Sequence, residues 1–213
     1  GQATTMRKRF DLRSSRKGKG LLPPNPTRWE HEHNALDVRH ELRLRGDEPL
    51  DHMAAFELLD SVLDVVPHTD LGAPDEQERH FSGSRQTRWS GMCIPLPEGD
   101  HLVVYNGFHS ETRVRATLME EFFHLWLGHP PTKIRLHSDG AGGRDFDSGK
   151  ESEAYGSGAA ALVPYGSLRE MLAGGMDVGA IGRHFNVSEQ LVGFRIKVAK
   201  LTRLRRGTRG SAA

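Results

Sequence analysis

The chain has 213 residues, enough for one or two domains with a sizeable core. Hydrophobic residues make up 36% of it, and no apolar run approaches the length of a membrane-spanning helix. Cys93 is the only cysteine, which excludes an internal disulfide, and the formal net charge is only +1.

That charge is unevenly placed. Residues 1–20 carry Arg7, Lys8, Arg9, Arg13, Arg16, Lys17 and Lys19 against Asp11 alone, and residues 195–213 carry seven basic residues and no acid. The middle holds the other 15 basic and 27 acidic residues and stands at −12. An acidic body with two basic ends suits weak contact of those ends with nucleic acid or another anionic partner, or simply solubility. Nothing after Met6 resembles a signal-peptide core, and with a lone cysteine this gives the expectation of a cytoplasmic protein.

Residues 1–27 are basic, Gly/Ser-bearing and close with L-L-P-P-N-P-T, which reads as a disordered tail and linker. A helix is predicted from Ala35 to Arg45, ended by Gly46. Asp51 reads as the cap of a second helix running to about Val65, with Ala54, Leu58 and Val62 on one face. The period then changes. Apolar stretches at 88–96 and 101–106 flank P-E-G-D and predict a β-hairpin, with H-F-S-G-S-R-Q before it as a third strand.

Ser110 then caps the stretch around which the chain is organised, E-T-R-V-R-A-T-L-M-E-E-F-F-H-L-W-L-G-H over residues 111–129. Apolar on nearly every side, it predicts a buried helix. Buried charge is costly unless paired or bound to metal, so Glu120, Glu121 and His124 need partners. Glu120 and His124 lie roughly 40° apart on the helix, and Glu121 about 60° from His124. This is the layout of the zinc-peptidase helix H-E-x-x-H, with Glu120 in place of the first His. A carboxylate is an accepted zinc ligand. The pattern also fits a core helix whose two Glu residues pair with Arg or Lys. His129, roughly 140° from His124, reads as a poor co-ligand facing solvent at the helix end.

The loop at residues 137–150 has the wrong glycine spacing for a phosphate loop, and Glu151 stands where Ser or Thr would be needed. E-S-E-A-Y-G-S-G-A-A-A-L-V-P, residues 151–164, is a small-residue helix suited to close packing. Glu151 reads either as the end of a capping box begun by Ser148 or as a third metal ligand. Further on, a helix over Asp177–Phe185, the turn N-V-S, and a helix capped by Ser188 and running to about Leu204 give a helix-turn-helix outline. Gly193 and Phe194 occupy the middle of the second helix, which suits phosphate or protein contact more than base readout.

Taken together, residues 35–204 resemble the ImmA/IrrE family of metallo-endopeptidases. The resemblance rests on A-L-D-V-R-H-E-L with P-L-D, the hairpin, R-A-T-L-M-E-E-F-F-H-L-W-L-G-H, E-S-E-A-Y-G-S-G-A-A-A-L-V-P and G-A-I-G-R-H-F-N-V-S-E-Q-L-V-G-F-R-I. It implies an α+β, zincin-like domain with a small antiparallel sheet over residues 35–165. Helix-turn-helix-like helices follow over 166–206, between tails at 1–34 and 207–213. By position, Glu120, His124 and Glu151 are the implied metal ligands and Glu121 the general base. Tyr155 stands where the family usually has Asn or Asp, and reads as a catalytic residue orienting a ligand or stabilising the oxyanion, or as a packing aromatic.

The implied metal is Zn2+. Two carboxylates and one imidazole form a harder donor set than two imidazoles and one carboxylate, which makes Mn2+ or Fe2+ more competitive. The implied partner is a protein substrate, a helix-turn-helix transcriptional repressor in a stress or mobile-element response. Substrate is expected in extended form beside the strand at 101–106. The rival expectation is a non-catalytic regulatory or DNA-binding protein with a degenerate metal site.

Overall fold

The structure, a computed structural model, describes residues 20–24, 26–72, 89–130, 134–136, 142–144 and 147–207. Helix α1 spans Trp29–Glu41 and α2 spans His52–Phe56. The expected start at Ala35 is therefore late, and residues 29–34, read as linker, are helical. Asp51 caps α2 as expected, accepting from Met53 N at 2.9 Å. The helix nevertheless stops at Phe56 instead of running to Val65. Strand β1, Val62–Pro67, occupies the remainder of that stretch. Val62, Val65 and Val66 are β-branched and favour the pleat over a helix.

β2 (Gly91–Pro95) and β3 (His101–Tyr105) form the expected antiparallel hairpin, with Cys93 opposite Val103. β1 pairs with β3 in parallel, so the sheet order is β1-β3-β2 and the sheet is mixed, where an antiparallel one was expected. Central β3 is the most apolar strand, with Val103 and Val104 buried. The stretch H-F-S-G-S-R-Q lies outside the described residues.

α3 spans Glu111–Trp126. Leu118, Met119, Phe122 and Phe123 form its buried face, while Glu120, Glu121 and His124 line a half-buried edge. Phe122 meets the Phe56 ring edge-on at 5.6 Å and stacks on Trp126 at 5.4 Å. Ser110 stands at the N-cap, but its hydroxyl makes no capping bond and lies 3.4 Å from Thr112 Oγ1. Beyond α3, β4 (Ile134–Leu136) pairs antiparallel with β5 (Gly142–Arg144), and β5 lies where a loop was expected.

α4, Ser148–Leu162, runs through the middle of the helical layer. A side chain at Gly158 would meet the Met119 carbonyl at 3.1 Å, and one at Gly156 would strike the His31 ring. The small residues thus bring α3 to one side of α4 and α1 to the other. α5 (Tyr165–Ala173), α6 (Val178–Phe185), α7 (Glu189–Val198) and α8 (Thr202–Gly207) complete the described residues. α6 ends at Asn186 in the left-handed region (φ 51°), and Ser188 caps α7 by accepting from Leu191 N at 3.2 Å. No helix among the described residues is long and apolar enough to cross a membrane.

Candidate metal centre

Three residues from two helices converge where α3 crosses the start of α4. One donor atom each from Glu120, His124 and Glu151 lies within 4.8 Å of the other two. His124 Nε2 stands 3.5 Å from Glu151 Oε2. Two ligand atoms about 2.1 Å from a tetrahedral ion are about 3.4 Å apart, so this edge already has the dimension of a coordination site. The donor set fits a divalent cation.

Electrostatics agree. Burial, then the charges of Glu121 and Glu151, push the Glu120 carboxyl up to about 7. Three carboxylates crowd here, and a cation would relieve that repulsion. Burial is also the main force lowering the His124 pKa, opposed chiefly by Glu151, which favours the neutral imidazole that a metal ligand must be.

Glu151 is free for this role because it does not cap its own helix. Asp147 is the N-cap, accepting from Gly149 N at 3.0 Å and Lys150 N at 3.2 Å. Those bonds, Lys150's first, hold the Asp147 carboxyl below its ordinary range. The capping box from Ser148 to Glu151 therefore does not form.

Glu121 points to a different neighbour. The Cys93 thiol on β2 donates to Glu121 Oε2 at 3.3 Å. Burial first, then Glu121, pushes that thiol's pKa far up, so Cys93 stays protonated and supplies a hydrogen bond, not a nucleophile. Nothing in the sequence around Cys93 points to this contact.

Tyr155, one turn after Glu151, meets the Phe194 ring of α7 at 5.1 Å and 61°. Burial and then Glu120 raise its hydroxyl pKa. Packing and proximity to the site are thus both present. Glu120 and Tyr155 border a cavity of about 410 Å³ whose other lining includes Ser90, Arg113, Thr117 and Gln190.

His129 departs from expectation. It does not face solvent: its side chain is 8% exposed. Its Nδ1 lies 3.1 Å from His124 Nδ1 and its Nε2 3.2 Å from Glu153 Oε2. A helical wheel failed here because α3 ends at Trp126, before the wheel reaches His129. Glu153, two residues after Glu151, carried no signal in the sequence that set it apart.

A family model described as the IrrE N-terminal-like domain, a peptidase family, matches residues 66–197. No curated protein and no solved structure matches the chain.

Proposed function

This chain belongs to the peptidase family of the IrrE N-terminal-like domain, and from that premise we propose that it is a metal-dependent endopeptidase whose substrate is a helix-turn-helix transcriptional repressor. The observation that carries the enzymatic reading is the convergence of Glu120, His124 and Glu151 beside Glu121. The repressor rests on the sequence resemblance to ImmA/IrrE proteins.

Glu120, His124 and Glu151 would hold one divalent ion, zinc or the harder manganese or iron. When bound, that ion polarises the scissile carbonyl and makes an attacking water more acidic. Glu121 accepts the water proton while the water oxygen adds to the carbonyl carbon. As the C–N bond breaks, Glu121 passes the proton to the leaving nitrogen. Cys93 holds the Glu121 carboxylate in place. Tyr155, beside Glu120, orients a ligand or donates to the oxyanion.

β3 is the central strand and offers no edge, so the expected docking of substrate beside it is replaced by docking on β2. Just outside the two ends of β2, Asn106 N donates to Ser90 O and Leu96 N to Asp100 O. The alternation of an antiparallel ladder then turns the main-chain groups of Gly91 and Cys93 away from β3. Among the described residues that side of β2 is unpaired, and it lies next to Glu121. An extended substrate adds there as a further strand.

The test takes the full-length chain, measures its metal content, and incubates it with a candidate repressor and zinc or manganese. One tightly held metal per chain and defined cleavage products are expected. Metal without hydrolysis would select a regulatory module instead. Neither metal nor hydrolysis would leave E-E-x-x-H as a core helix.

A further inference from the structure

α3 terminates so that the histidine just beyond its end returns to the site. Gly128 adopts the left-handed conformation at φ +69°. The chain reverses there, and His129 N donates back to His124 O at 2.8 Å while Gly128 N donates to Leu125 O at 3.0 Å. This is a Schellman-type ending, whose left-handed reversal residue is usually glycine. It sets the His129 ring against the His124 ring, with centroids 5.1 Å apart and planes at 70°.

With a metal ion at His124 Nε2, one direction of hydrogen bonding along this contact satisfies every group. A carboxylate accepts and does not donate. The bond between Glu153 Oε2 and His129 Nε2 therefore places a hydrogen on Nε2. A neutral imidazole carries one N–H, so in that arrangement a neutral His129 presents its lone pair at Nδ1. His124 Nδ1, 3.1 Å away, must then donate. With its hydrogen on Nδ1, neutral His124 has its lone pair on Nε2, the nitrogen beside Glu151.

We propose that Glu153 and His129 are positioning residues, a two-step relay that fixes the tautomer and ring orientation of His124 for a divalent cation shared with Glu120 and Glu151. This rests on the reading of those three residues as a metal site. Metal-bound histidines commonly donate their second N–H to an outer partner, and loss of that partner typically weakens metal binding 10- to 100-fold. Here the outer partner is a second histidine, itself anchored by a carboxylate two residues after a ligand. With one imidazole in the ligand set, its orientation carries a larger share of the affinity.

Metal affinity of the full chain, measured for Mn2+ and Zn2+ by competition with a chromophoric chelator at fixed pH, reads this directly. His129→Phe keeps a buried ring without nitrogens and is expected to weaken binding 10- to 100-fold. His129→Asn restores an acceptor near the Nδ1 position and is expected to recover most of that loss. Gly128→Ala keeps every ligand and relay atom but strains the reversal, and is expected to weaken metal binding as well. It carries the test if His129→Phe does not fold. Nitrogen–hydrogen NMR correlations on the zinc-loaded parent are expected to place the His129 hydrogen on Nε2. A hydrogen on Nδ1, or full affinity in folded His129→Phe and Gly128→Ala, overturns the relay while leaving the metal site standing. A parent chain that binds no metal removes both.

Discussion

Glu120 and Glu121 are adjacent, yet their surroundings differ, and the roles proposed for them differ accordingly. Glu120 sits with His124 and Glu151, whereas Glu121 is held by Cys93 beneath β2. Glu121→Gln keeps shape but not basicity, so metal content should persist while hydrolysis falls by about two or more orders of magnitude. Glu120→Ala should lose both, and Glu120→His should keep metal and shift preference towards zinc. Elemental analysis beside a cleavage assay separates these outcomes, and loss of metal in Glu121→Gln would reverse the roles. Glu120 also makes stability depend on pH. In chelator-stripped protein its carboxyl titrates near 7, against an ordinary value of 4.5. Between those values the folded state holds more protons than the unfolded state, so stability falls as pH rises. At about 1.4 kcal/mol per pKa unit, stripped protein should lose roughly 3 kcal/mol between pH 4.5 and 7 from this group. Denaturant melts at pH 5.5 and 8 check this, and Glu120→Gln should flatten the difference. An unchanged slope in that variant would show that Glu120 is not the titrating group.

At the scale of elements, the site was more legible in the sequence than the sheet was. The i, i+4 spacing of Glu120 and His124 survives folding because both sit inside a regular helix, where angle follows from number. Glu151 was legible only as a choice, and Asp147, one residue ahead of Ser148, removes the capping alternative by taking the cap. His129 was misplaced because the same angular rule was carried past Trp126. Gly128, directly after an apolar helical run, was the signal that the chain reverses there. β1 was hidden because Ala54, Leu58 and Val62 share a helical spacing while Val65 and Val66 fit a strand equally well. No local pattern reveals that β1 pairs with a strand some forty residues away. The resulting order has a consequence for binding. Val103→Pro should damage the fold itself, because β3 is bonded on both sides. By contrast, a cleaved peptide carrying an ester in place of the amide that meets Cys93 should lose one main-chain hydrogen bond. Its KM should rise about two- to tenfold, the equivalent of roughly 0.5–1.5 kcal/mol. Unchanged KM for esters at every position would remove β2 as the docking edge.

The molecule as a whole is tied together by a contact that the family match does not span. The match begins at residue 66, yet α1 packs along α4 and supplies Glu32. Glu32 Oε1 accepts from Arg195 Nη2 of α7 at 2.7 Å, with the two side chains 3% and 2% exposed. Arg195 Nε also donates to Val163 O at 2.9 Å, and Arg39 Nη1 to Ala161 O at 2.9 Å. Two arginines, one from each end of the chain, thus satisfy carbonyls that α4 leaves open at its C-terminus. Arg195 is consequently no part of a basic surface for nucleic acid, whatever its neighbours Lys197 and Lys200 do. Because α4 carries Glu151 at its other end, a loosened C-terminus would also reach the candidate metal site. Burying an ion pair is not stabilising in itself, but removing one partner leaves a charge without compensation. Glu32→Gln should therefore destabilise the chain by about 3–5 kcal/mol. At roughly 2–4 °C per kcal/mol for a domain of this size, Tm should fall by about 6–20 °C. Replacing both partners, Glu32→Leu with Arg195→Met, should recover much of that loss, because no charge then remains buried. Thermal and denaturant melts of the single and double variants measure the coupling. A Glu32→Gln chain within about 1 kcal/mol of the parent, the range of an exposed pair, would mean that water reaches Arg195 and that the N-terminal helix is not fastened to the domain through it.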